Sequence, residues 1–138
     1  MGAWGPATAD GEVLHLRALD WKRDALVNEF PAITIYEPTE EGSIPFANVG
    51  WLGLIGSLTG MNKAGISIGE KQYIDLLGED AEWTYRGTPW LWVLRDTIQF
   101  SANLEEAEQF LTDARRTIMI HGGLGSAADH TFRGFDYT

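Results

Sequence analysis

Four groups of residues in this chain have types and spacings that could do chemistry. Gly65-Ile66-Ser67-Ile68-Gly69 matches G-x-S-x-G, the pattern of a nucleophilic serine on a sharp turn, and Asp129 and His130 follow in the order a Ser–Asp–His triad would need. That turn needs a strand before it and a helix after it, whereas Ser67 lies inside an alternating run, so the serine hydrolase reading stands as an alternative. Arg17 and Asp20 close the run Leu14-His15-Leu16-Arg17-Ala18-Leu19-Asp20-Trp21. An Arg–carboxylate pair at a strand end is a surface ion pair unless other groups gather around it. Asn62, in Gly60-Met61-Asn62-Lys63-Ala64-Gly65, is either an ordinary turn residue or a rigid amide donor for a developing oxyanion. His15, His121 and His130 are too scattered to imply a metal site.

Other patterns have plainer readings. Gly123-Leu124-Gly125-Ser126-Ala127-Ala128 fits the dinucleotide pattern G-x-G-x-x-A, but only ten residues follow it, too few for a helix, a second strand and a ribose-binding acid. It reads as a Gly-rich turn. The six Trp residues, Trp4, Trp21, Trp51, Trp83, Trp90 and Trp92, read first as core and second as a stacking surface of a non-catalytic binding module. There is no cysteine, so thiol nucleophiles, thiolate metal sites and disulfides are excluded for these 138 residues. No cofactor is implied.

The elements that must position these groups follow from local signals. Asp10-Gly11 is a hairpin turn signal between 2–9 and 12–19, and the second run puts Val13, His15, Arg17 and Leu19 on one face. Residues 32–36 and 44–49 read as paired strands around a polar loop. Gly50, Gly53, Gly56 and Gly60 mark bulges or close backbone approach, and 65–69 is a further short strand. Thr88-Pro89 starts a helix over 89–101, with Thr88 as its cap. Asn103 with Glu106 starts another over 104–114, whose apolar stripe is Leu104, Ala107, Phe110, Leu111 and Ala114. Strands at 117–121 and 132–137 flank a flexible 122–126 turn. The order of strands, two helices and strands predicts an α+β fold in which helices cover a mostly antiparallel sheet, as one domain over 1–138.

Charge and composition narrow the partners. The net charge is −10, which repels nucleic-acid phosphates and anionic lipid. No apolar stretch approaches the ~20 residues of a membrane span, and no signal peptide is visible, which leaves the compartment open. Hydrophobic residues at 44% are enough for a packed core.

Taken in order, Ala3-Trp4-Gly5-Pro6-Ala7-Thr8-Ala9-Asp10-Gly11, Arg17-x-Leu19-Asp20-Trp21 and Gly60-Met61-Asn62-x-x-Gly65 resemble the start of the mature catalytic chain of an N-terminal-nucleophile (Ntn) hydrolase. The group resembled most is the autoproteolytic acyltransferase/hydrolase family typified by the isopenicillin-N acyltransferases, with penicillin V acylase and bile salt hydrolase as relatives. Gly87-Thr88-Pro89, Leu94-Arg95-Asp96, Leu104-Glu105-Glu106-Ala107 and Phe132-Arg133-Gly134-Phe135-Asp136-Tyr137 extend the likeness along nearly the whole chain.

The resemblance implies an αββα layered sandwich, of which this chain supplies the N-terminal half: one antiparallel sheet with its two helices. It implies cleavage or transfer of linear amides, with a small acylated amine or amide as substrate. The nucleophile is an N-terminal Cys whose own α-amine serves as base. Arg17 is implied as the neighbour that favours the thiolate, Asp20 as the group orienting amine and nucleophile, and Asn62 as the oxyanion donor. The family's Cys precedes Ala3, where this chain has Met1-Gly2, and its Gly-Arg-Asn-Leu-Asp-Trp is here Leu16-Arg17-Ala18-Leu19-Asp20-Trp21. The expectation is a fragment or inactive form, with a homo-oligomer burying the exposed sheet face.

Overall fold

The computed structural model describes residues 1–20, 22–72, 84–115 and 117–137. It contains β1 (Gly2–Ala3), β2 (Leu14–His15), β3 (Pro31–Tyr36), β4 (Phe46–Trp51), β5 (Thr59–Asn62), β6 (Ile66–Gln72), α1 (Trp90–Phe100), α2 (Leu104–Asp113), β7 (Ile120–Ser126) and β8 (Thr131–Tyr137). The six strands β3 to β8 form one sheet in sequence order, each antiparallel to its neighbour, and both helices enter between β6 and β7. The fold is α+β, as the sequence predicts.

The helices cover one face of the sheet. Ile66, Ile68 and Leu124 from the strands meet Val93, Leu94, Ile98, Leu104, Ala107 and Leu111 from the helices in a single buried cluster. Each Ile, Leu or Val side chain taken out of water contributes about 1.5–3 kcal/mol. Gly60 lets α1 approach: a Cβ there would lie 2.6 Å from Ile98 Cδ1 and 2.8 Å from the Ala47 carbonyl oxygen. The other sheet face is covered at its β6–β8 end by the β1–β2 arm. At the β3–β5 end it is open, with Ile33 69% and Ile35 73% exposed beside Val49 and Met61.

Four local expectations are corrected. The first two segments do not pair along their length: only Gly2–Ala3 and Leu14–His15 do, because Gly5 and Pro6 turn the chain into a 3-10 turn before Asp10-Gly11 reverses it. Thr88 does not cap α1; Pro89 occupies the N-cap and no side chain caps it. Residues 59–62 form a strand within what reads as a Gly-punctuated connection. Residues 122–126 are not a turn but most of β7, and the turn falls at 127–130, with His130 at φ +45°. Asn103 does cap α2, accepting from the Glu106 amide at 2.9 Å.

Candidate functional site

The arm β1–β2 sets the site. The Met1 amino group donates to the Leu16 carbonyl at 3.1 Å, and the Leu16 amide donates back to the Met1 carbonyl at 2.9 Å. Gly2 pairs with His15. The alternation predicted for this arm holds as far as residue 17: Leu14 and Leu16 point to solvent, while Val13, His15 and Arg17 turn toward the sheet; Leu19, expected on the inner face, is exposed. Residue 17 therefore follows directly on the residue that pairs with the first one.

Arg17 lies over Gly69 and ends on Glu70. Its Nε donates to the Glu70 carbonyl at 3.0 Å and its Nη2 to Glu70 Oε1 at 2.7 Å. Both side chains are nearly sealed, at 10% and 3% exposure. Burial pushes the Glu70 carboxyl above its ordinary range, and Arg17 pulls it back. Burial likewise lowers Arg17, against the pull of Glu70. Glu70 Oε2 is buried and has no hydrogen-bond partner among the described residues. Asp20 stands at the rim, bonded to Lys71, which holds its carboxyl below the usual range.

These groups line a cleft of about 590 Å³ whose walls include Met1, His15, Arg17, Glu70 and His121. Its back is built from glycines. A Cβ at Gly123 or Gly122 would run into the rings of Phe132 and Phe135, so the glycines of β7 serve packing under aromatic rings. His15 is held neutral: burial, then the positive amino terminus, lower its pKa to about 4. The assembly of a buried guanidinium, a buried carboxylate and a neutral imidazole in one cleft can stabilise an anionic group and move a proton.

Of the sequence-predicted residues, Arg17 and Asp20 lie at this cleft and its rim; Asn62 does not. Asn62 is 4% exposed and faces the helices. Its Nδ2 donates to the carbonyls of Ile98 at 2.9 Å and Ser101 at 2.7 Å, and its Oδ1 accepts from the Ile66 amide at 2.9 Å. Both amide hydrogens are thus committed to the end of α1, leaving none for an oxyanion. Ser67 sits within β6 and bonds His15, not His130. Asp129 bonds Ser126, and His130 pairs with Glu12, so the Ser67–Asp129–His130 triad is not assembled. Trp4 packs on Phe132, Trp92 lies by Arg95, and Trp90 packs on the core; Trp21 and Trp83 lie outside the described residues.

Sequence reasoning missed Glu70 and the role of His15. The signal for Glu70 was its parity: it falls on the same alternation as Ile66 and Ile68, so a buried carboxylate there demands a cation. The signal for His15 was its shared face with Arg17.

No family model matches the chain. It is 31% identical over 131 residues to Protein dcd1B of Dictyostelium discoideum, covering 95% of this chain and 25% of that protein. It is 32% identical over 145 residues to Protein dcd1A of the same organism, covering 100% of this chain and 32% of that protein. The chain thus spans a quarter to a third of the length of the curated relatives it matches. Among solved structures it is similar to a Caenorhabditis elegans N-acylethanolamine-hydrolyzing acid amidase ortholog, with a TM-score of 0.65 and 14% identity, over 97% of this chain and 67% of that one. That neighbour is an Ntn hydrolase, and the α+β architecture here is the Ntn-hydrolase-like fold.

Proposed function

We propose that this chain carries the acyl-transfer cleft of a linear-amide hydrolase or acyltransferase of the N-terminal-cysteine-nucleophile type, in a partial or inactive form. The observation that carries the reading is the β1–β2 pairing, which brings Met1 and Gly2 to one cleft with His15 and the buried Arg17–Glu70 pair. A nucleophile there would have its α-amine as base, Arg17 to favour the anion, and Asp20 at the rim to orient it. The solved neighbour is named for hydrolysing N-acylethanolamines, which are linear amides, and this supports the substrate class. Within the class, the Ala3–Gly11 and Arg17–Trp21 segments favour the isopenicillin-N acyltransferase-like group. These 138 residues contain no cysteine, so by this reading no thiol acyl-enzyme forms on them.

Binding tests this on the chain as it stands. A simple linear amide such as N-hexanoylbutylamine should shift the backbone amide resonances of Gly122 and Lys71 and the Arg17 Nε resonance, and leave those of α2 in place. Shifts confined to α2, or none at all, would overturn the reading.

A further inference from the structure

His15 is fixed on three sides. Its Nδ1 lies 2.9 Å from Ser67 Oγ. Its ring stands edge-on to Phe132, with centroids 4.8 Å apart at 76°. Its Nε2 lies over Gly69, 3.0 Å from where a Cβ would stand. A side chain at 69 would crowd that nitrogen. His15 and Gly69 both line the cleft, and Ser67 does not. The serine therefore stands behind the imidazole, with the cleft in front of it.

A hydroxyl can donate or accept, so Ser67 fixes the orientation of the ring, and the tautomer it adopts decides what the other nitrogen can do. Among the described residues, the charged and titratable groups around His15 are the amino group of Met1 across the β1–β2 pair, Arg17 on its own arm, Glu70 and Lys71 of β6, His121 of β7 and Asp136 of β8; Gly123, Gly125 and Phe132 beside it are uncharged. The imidazole is neutral above about pH 4 and keeps a lone pair available across the neutral range.

We propose that His15 is the proton-transfer residue of the cleft, with Ser67 as its positioning residue: Nδ1–H donates to Ser67 Oγ, and the Nε2 lone pair faces the bound amide. The proposal rests on the linear-amide reading and deepens it. As the oxygen of an attacking water bonds to the acyl carbon, one of its protons passes to Nε2. As the C–N bond breaks, Nε2 returns that proton to the departing amine nitrogen. Amide and water become acid and amine, and the imidazole ends as it began.

The test is ¹⁵N NMR of the histidine side chains in the whole chain, from pH 3 to 8, with and without N-hexanoylbutylamine. Expected are a neutral His15 protonated on Nδ1, a titration midpoint well below the ordinary 6.5, and a shift of the Nε2 resonance on adding the amide. Ser67→Ala should erase the tautomer preference while the backbone spectrum stays folded, which a merely space-filling serine would not do. A neutral His15 protonated on Nε2 overturns the proposal. So does an Nε2 signal that stays put while Gly122 and Arg17 respond to the amide, and in that case the linear-amide reading survives. If neither the imidazole nor the cleft resonances respond, both fall together.

Discussion

Arg17 and Glu70, 53 residues apart in sequence, meet through two hydrogen bonds in a nearly dry pocket, the guanidinium spanning the carbonyl and the carboxylate of one residue. This joins the short β1–β2 arm to the main sheet. It also sets a charged pair in the cleft that Met1 lines.

Removing one partner of this pair strands the other. Glu70→Ala leaves a buried guanidinium without its anion, which costs about 3–5 kcal/mol. Arg17→Lys keeps the charge but loses the fork, and should cost less. Urea denaturation of the two variants checks the order; equal stability of Glu70→Ala and the parent would show that the pair is not buried.

His15 makes stability depend on pH with a defined sign. Its folded pKa of about 4 lies below the ordinary 6.5, so the unfolded chain takes up a proton first. The contribution is fully present above pH 6.5 and is lost as pH falls toward 4, by less than the full shift would give because the partly exposed ring is screened by solvent. Glu70 has the opposite sign, because its raised pKa favours the folded state at low pH and loses that contribution as pH rises. The difference between the parent and His15→Gln isolates the histidine: the variant's stability should fall less between pH 6.5 and 4. A variant with the same slope as the parent would contradict the buried, neutral ring.

Asn62 ties β5 and β6 to the end of α1. Asn62→Ala leaves two buried carbonyls and one amide without partners, each worth about 1–3 kcal/mol. Asn62→Asp should be worse, since a carboxylate would face two carbonyl oxygens. Thermal unfolding measures the cost, and titration with the linear amide should show unchanged affinity in any variant that stays folded. A selective loss of amide binding without loss of stability would return Asn62 to the cleft.

Much of this was legible in the sequence, and the failures have physical causes. The alternation that puts His15 and Arg17 on one face, strands over 32–36 and 65–69, and the Asn103 cap follow from local rules; the structure keeps the cap and the alternation and places the strands at 31–36 and 66–72. Residues 122–126 misled because glycine signals both a turn and a strand lying flat under an aromatic ring, and only the distant Phe132 and Phe135 decide between them. Asn62 misled for a related reason. A Gly-flanked Asn reads as a turn or an exposed donor until α1 brings its carbonyls within reach. Glu70 was hidden because its partner is 53 residues away. What pairs along the chain could be read, and what meets across it could not.

The central claim is that residue 1 sits where an acyl group is transferred. The most direct measurement is intact mass after single-turnover mixing of a Met1→Cys variant, its thiol and α-amine both free, with a p-nitroanilide of a linear acyl chain. The account predicts an acyl adduct on residue 1 with release of nitroaniline, slowed about 10²-fold or more when Arg17→Lys is added. A folded Met1→Cys variant whose thiol is alkylated by iodoacetamide yet takes no acyl group would contradict it.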